Sequence, residues 1–195
     1  MKLAIAMTAF DRPEYLARAV CSYDKLEGCS DHDFYFFIDG PYDDKSVERC
    51  AETRAVAEAF DHPSKTVITR DKNVGIAHQI YESKTRLFSE YDMVLSCVDD
   101  YDAAPYALTA LKTAYLAVET RVVDPFILDV YRPLNQTETR QEKRENLDLI
   151  REGCHGAFYL MARDVWAQVE PYYAEYIRKF IQPSVDAGYG RPYSR

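Results

Sequence analysis

The sequence is poor in glycine, with seven in 195 residues. None of them builds a G-x-G-x-x-G turn after the first apolar stretch, and no G-x-x-x-x-G-K-[ST] loop occurs anywhere. Dinucleotide sites and P-loops need such bare backbone close to phosphate, so both are disfavoured. Cysteine is limited to Cys21, Cys29, Cys50, Cys97 and Cys154, without a C-x-x-C pair. An odd, scattered set argues against a disulfide framework and reads as the reduced thiols of a cytoplasmic protein. Positive charge is in deficit, 24 Lys and Arg against 32 Asp and Glu, for a net charge of −8. That balance disfavours nucleic acid as a partner, though it leaves room for a local basic pocket. No apolar run approaches the length of a membrane span. The opening MKLAIAMTAF is too short for a signal segment and runs into charged DRPEY, so it reads as a first strand.

What is present is the composition of a folded domain: 47% hydrophobic and 29% charged residues, with a mean hydropathy of −0.39. The length suits one domain with a substantial core. Strands are expected at 2–8, 33–39, 65–70 and 92–98. Between them the apolar period changes to that of helices. Asp11 and Glu14 have capping-box spacing ahead of Leu16, Val20 and Tyr23. A second helix over 45–60 carries Val47, Cys50, Ala51 and Ala55 on one side, and a third, opened by Asn73 and Gly75, aligns Ile76, Ile80 and Leu87. A fourth has Pro105 in its first turn, followed by Leu108, Leu111, Tyr115 and Val118. The alternation βαβαβαβα over the first 120 residues predicts an α/β fold with an open, mostly parallel sheet flanked by helices. Residues 1–120 form its first half and 121–195 its second, with strands expected at 124–131 and 155–162. The segment 132–153 is charge-dense and expected to be a mobile loop or an exposed helix. Asp164 is expected to cap a last helix, with Trp166 in the core.

Ligands of such sheets bind beyond the carboxyl ends of the strands. Four strand ends carry polar residues: Thr8 to Arg12, Asp39 to Asp44, Arg70 to Asn73, and Asp99 to Asp102. In the last, VDDYD, three carboxylates fall within four positions and repel one another unless a positive charge sits among them. Without a glycine nest, a bound diphosphate needs a metal ion to neutralise it, and hard divalent cations take oxygen ligands. The blander reading makes Asp102 a favourable charge at a helix N-terminus, and Asp99 and Asp100 a solvated turn.

The order of motifs resembles the nucleotide-sugar-dependent glycosyltransferases of the GT-A fold, family-two-like. IAMTAFDRPEYLARAV is similar to their first strand and helix, FFIDGPYDD to their second-strand end, and ITRDKNVGIAHQIYES to their R-x-x-N-x-G segment. MVLSCVDDYDAAPYAL resembles their E-D-D or D-x-D metal motif, with Val98 in place of the glutamate and Ala104 in place of a serine. The resemblance implies that Thr8, Ala9, Phe10, Arg12, Asp39, Asn73, Gly75, His78 and Asp99 line the nucleotide-sugar site. It implies manganese or magnesium held by Asp100 or Asp102, with Asp100 favoured, and a further ligand at His155. The implied partner is a nucleotide-sugar donor, most simply a UDP-sugar, with an acceptor hydroxyl that the sequence does not identify.

Sugar transfer of this kind releases a diphosphate, whose charge a divalent ion stabilises as a Lewis acid. An inverting reaction also needs a carboxylate base, for which Glu152 and Asp186 are the candidates. Tyr42 and Tyr101 are candidate sugar-stacking rings. The alternatives are a non-catalytic nucleotide-sugar- or metal-binding relative and a nucleotidyltransferase of related architecture. The latter usually carries a glycine-rich loop that TAFDRPEY lacks.

Overall fold

The computed structural model describes residues 1–119, 128–129 and 158–186. The chain runs β1 (Leu3–Ala9), α1 (Pro13–Tyr23), β2 (Asp33–Ile38), α2 (Asp44–Ala59), β3 (Lys65–Thr69), α3 (Gly75–Phe88), β4 (Met93–Val98) and α4 (Ala107–Glu119). It continues with β5 (Leu128–Asp129), β6 (Phe158–Ala162) and α5 (Arg163–Tyr176). A π-helical turn (Ile177–Ile181) then leads into α6 (Gln182–Asp186). The strands form one six-stranded sheet in the order β3-β2-β1-β4-β6-β5. The first four are parallel, and β6 runs antiparallel to both β4 and β5. This is the single α/β domain with a mostly parallel sheet that the alternating pattern predicts.

β1, β2 and β4 are near-continuous apolar runs because helices cover the sheet on both faces. Neighbouring residues of β6 show the two layers. The Phe158 ring lies 6.2 Å from Tyr23 of α1, while Tyr159 lies 5.1 Å beneath the Lys84 ammonium of α3. Successive strand residues face opposite ways, so α1 and α3 sit on opposite sides of the sheet. α2 packs beside α1, and α5 beside α3. Trp166 of α5 is 5% exposed and stacks on Phe88. No helix among the described residues is long and apolar enough to cross a membrane.

Several helix faces differ from their apolar stripes. On α2 the buried residues are Ser46, Cys50, Thr53 and Ala57, whereas Val47 is 52% exposed. The residues that α2 buries are small, and it packs beside α1 and over β2 and β3. On α3 the buried set is Gln79, Ser83, Lys84, Leu87 and Phe88, and Ile76 is 58% exposed. Nor does the Asp11–Glu14 capping box form. Arg12 occupies the N-cap of α1 without a side-chain bond to the helix backbone, and Glu14 instead takes a bidentate hold from Arg49 of α2 at 2.9 and 3.1 Å. The capping box that does form is at α2. Asp43 accepts from the Ser46 amide at 2.8 Å, and the Ser46 hydroxyl accepts from the Asp43 amide at 3.1 Å. Asp164 lies inside the first turn of α5, with Ala162 at the cap. Of the strand expected at 124–131 only Leu128–Asp129 is described, and the segment 132–153 lies outside the described residues.

Candidate functional site

The strand order reverses between β1 and β4, and the crevice beyond their carboxyl ends is where an open α/β sheet can admit a ligand. A cavity of about 620 Å³ opens there. Its wall is built from Thr8 to Arg12 at the end of β1 and just beyond it, Asp39 after β2, Asn73 to Ala77 and Gln79 around the start of α3, Val98 to Asp100 at the end of β4 and just beyond it, and Ile181. Thr8 lies opposite Val98 in the parallel register, so the loops after β1 and β4 leave the sheet side by side.

That neighbourhood explains how the clustered carboxylates are tolerated. Arg12 spans the crevice, its Nε and Nη2 donating to the two oxygens of Asp99 and its Nη1 to Asp100 at 2.9 Å. Arg18, two turns along α1, donates to Asp102 at 3.0 Å. The Tyr15 ring lies 5.5 Å from the Arg12 guanidinium and 5.6 Å from that of Arg18, placing both cations on one face of α1. Asp99 is 1% exposed, and burial raises its pKa above the ordinary carboxylate value while Arg12 works the other way. Asp100 and Asp102 are half-exposed, but only Asp100 lines the cavity.

Asp39 is also buried, and burial raises its pKa against three backbone hydrogen bonds. Gly40 N and Val74 N donate to its Oδ1, each at 2.9 Å, and Gly75 N to its Oδ2 at 2.8 Å. Its carboxylate thus neutralises the N-terminus of α3 and ties it to the end of β2. Two glycines permit this. Gly75 has φ of 79°, a left-handed conformation that costs a residue bearing a Cβ. A Cβ on Gly40 would stand 2.5 Å from the Lys72 amide nitrogen. Asn73 completes the junction, donating from Nδ2 to Gly40 O at 3.1 Å.

Of the residues expected at the site, Thr8, Ala9, Phe10, Arg12, Asp39, Asn73, Gly75, Asp99 and Asp100 line this cavity together. His78 does not line it, and its Nδ1 is buried. Asp102 is drawn aside by Arg18. Asp186 lies away from the wall at the end of α6, where its carboxylate accepts from Gln182 at 2.7 Å. Glu152 and His155 lie outside the described residues. Tyr101 stacks on Phe158 at 5.1 Å as part of the packing, while Tyr42, 46% exposed, backs Phe10 at 5.7 Å. Gln79 and Ile181 also line the cavity and are not among the residues expected there. A polar residue one turn after Gly75, on the side facing the sheet, was a usable signal for the first. Nothing in the sequence marks the second, which lies 81 positions beyond the nearest other wall residue, Asp100.

A divalent cation needs oxygen donors, which the crevice offers as carboxylates. Among the described residues no group of three or more His, Cys, Asp or Glu side chains is placed to hold one, so a closed cage is absent there. An open site asks for less, since magnesium is held by one or two carboxylates plus phosphate and water. Asp100 meets that need, being half-exposed at the cavity wall. The wall carries four aspartates, Asp11, Asp39, Asp99 and Asp100, against one arginine. A diphosphate can enter this field only with added positive charge. The residues present fit a cation that arrives with an anionic ligand.

No protein-family model and no curated protein matches this sequence. Solved structures do share the fold. Staphylococcus aureus TarS (residues 1–349, crystallised with UDP-GlcNAc) aligns at a TM-score of 0.59 and 11% identity, over 86% of this chain and 47% of that one. Glucosyl-3-phosphoglycerate synthase from Mycobacterium tuberculosis, in complex with Mn2+, UDP and phosphoglyceric acid, aligns at 0.51 and 13%, over 84% and 56%. The 4-diphosphocytidyl-2C-methyl-D-erythritol synthase of Anaerococcus prevotii aligns at 0.51 and 7%, over 91% and 77%. The chain thus spans about half the length of the first two.

Proposed function

We propose that this chain is a GT-A-type glycosyltransferase that takes a sugar from a nucleoside-diphosphate donor, most simply a UDP-sugar, to an acceptor hydroxyl in the cytoplasm. One observation carries the reading: the loops after β1, β2 and β4 and the start of α3 enclose one cavity at the strand-order reversal, with a carboxylate at its wall. The fold shared with enzymes crystallised with UDP-GlcNAc, or with UDP and Mn2+, supports it. Residues 1–120 would form the donor half and 121–195 the acceptor half of the domain.

Asp100 is the residue that would hold manganese or magnesium. When bound there, the ion supplies Lewis-acid neutralisation of the leaving diphosphate. Asp99 keeps Arg12 across the crevice, and Asp39 fixes the backbone of Val74 and Gly75, against which the nucleotide would rest. Asp102 is spoken for by Arg18 and holds the loop. If the reaction inverts, Glu152 stands as the candidate base.

Calorimetric titration of nucleoside diphosphates with and without Mn2+ tests the proposal. UDP is expected to bind with Mn2+ and to lose at least tenfold in affinity without it. Failure of every nucleoside diphosphate to bind in the presence of Mn2+ would overturn the reading. The nucleotidyltransferase alternative requires instead a nucleoside triphosphate and release of pyrophosphate. The glycine-free Phe10–Arg12 loop speaks against it.

A further inference from the structure

Among the described residues of the cavity wall Arg12 alone carries positive charge, and its donors are shared unequally between two carboxylates. Nε and Nη2 grip the two oxygens of buried Asp99. Nη1 reaches Asp100 Oδ2 at 2.9 Å, where both side chains are half-exposed. A guanidinium is a planar, rigid fork, so the hold on Asp99 fixes where Nη1 stands. The first pair is anchored inside the protein. The second lies where water competes for both partners, and exposed ion pairs of this kind are weak. A ligand can therefore break the bond to Asp100 while the grip on Asp99 stays.

The carboxylate at the weak end is the one that fits a divalent cation. Asp39, the other buried carboxylate of the wall, is already held by three backbone amides. A cation at Asp100 has to compete with Nη1 and is repelled by the guanidinium charge beside it. A cation that comes with a diphosphate meets a different balance. The N–H that leaves Asp100 then has phosphate oxygens to donate to, and charge-assisted bonds of that kind are strong. We propose that Arg12 guards Asp100, so that the site takes up a divalent cation with a diphosphate rather than ahead of it. Cation and nucleotide then bind with positive coupling, and by linkage each strengthens the other by the same factor. Asp99 is the anchor that keeps the guanidinium at hand in both states. The inference rests on the reading of the cavity as a nucleoside-diphosphate site with its cation at Asp100.

The test is calorimetric titration of the full chain with Mn2+ alone and with Mn2+ at saturating UDP, GDP, CDP or ADP. It compares the natural protein with Arg12→Gln, with Arg18→Gln, and with Arg12→Gln combined with Asp99→Asn. In the natural protein the nucleotide that binds is expected to tighten Mn2+ at least tenfold. In Arg12→Gln, Mn2+ alone is expected to bind at least fivefold tighter than in the natural protein, and the gain from nucleotide to fall below threefold. The double variant loses one charge of each sign and leaves no buried carboxylate without its cation. The same changes are expected there, which traces them to the released Asp100 rather than to net charge. Arg18→Gln removes the same charge from the pair with Asp102, outside the wall, and is expected to match the natural protein. Mn2+ and nucleotide binding independently in the natural protein, natural coupling in the double variant, or an equal loss of coupling in Arg18→Gln would each overturn the role of Arg12. Those outcomes leave the proposed function standing. Binding of none of the four nucleotides beside Mn2+ would overturn both.

Discussion

The two ends of the sheet use the same residue types to opposite effect. At the amino ends of the strands, Asp33 accepts from the Ser64 hydroxyl and from Tyr91 Oη at 2.6 Å, and these bonds lower its pKa below the ordinary carboxylate value. Tyr35 meets Tyr91 at 2.9 Å, and the Lys2 ammonium lies 4.2 Å from the centre of the Tyr91 ring. Asp92 accepts from the Lys2 amide at 2.8 Å and pairs with Arg163. At the carboxyl ends, Asp39 and Asp99 also have partners, yet burial raises both of their pKa values. The first end satisfies its charges near solvent and closes. The second holds buried carboxylates beside open space, an arrangement more common at working sites than at structural ones.

The largest effect is expected at Asp100. Asp100→Ala is expected to weaken Mn2+-linked UDP binding by a hundredfold or more while leaving the unfolding midpoint nearly unchanged, because the side chain is half-exposed. Wild-type affinity in that variant would remove the assignment of the cation to this edge. Arg12→Ala comes next. It leaves Asp99 buried without its cation and is expected to cost about 2 kcal/mol in denaturant unfolding, reduced in the double variant with Asp99→Asn. At the closed end, Asp33→Asn is expected to cost about 1 kcal/mol, with UDP affinity unmoved. If Asp33→Asn weakened binding as Asp100→Ala does, the functional contrast between the ends would fail.

The smallest effect is the pH dependence. Asp39 and Asp99 have folded pKa values above their unfolded ones, so in the window between the two the folded state binds more protons. Their contribution to stability therefore falls as pH rises through that window. Asp33 has the opposite sign, adding stability above its unfolded pKa that is lost as pH falls through its lowered folded one. Denaturation of Asp99→Asn across mildly acidic pH should show a flatter profile than the parent on this account, and a steeper one would contradict it.

The large divisions of the fold were legible because they depend on chemical pattern alone. Four buried strands separated by helical periods announce a parallel sheet, and polar residues at strand ends announce where a ligand goes. Helix faces were less legible. Alanine and serine pack as readily as valine, so the stripe of α2 through Val47 and Ala51 pointed the wrong way, and Ser46 and Thr53 are buried instead. The capping box had the same weakness. Glu14 could face its own helix or Arg49, and only the docking of α2 beside α1 decided for Arg49.

By itself the sequence determined the sheet, the order of its parallel strands in the chain, and that three carboxylates would crowd the end of β4. The tertiary structure decided which cations meet them. Placing β4 beside β1 brings Arg12 across to Asp99 and Asp100, while Arg18 takes Asp102 away from the cavity. Those pairings span 84 or more positions, and such contacts depend on which strands lie side by side rather than on local spacing. The same holds for Gln79, an ordinary amide in the chain whose Nε2 lacks a hydrogen-bond partner among the described residues once α3 closes against the sheet.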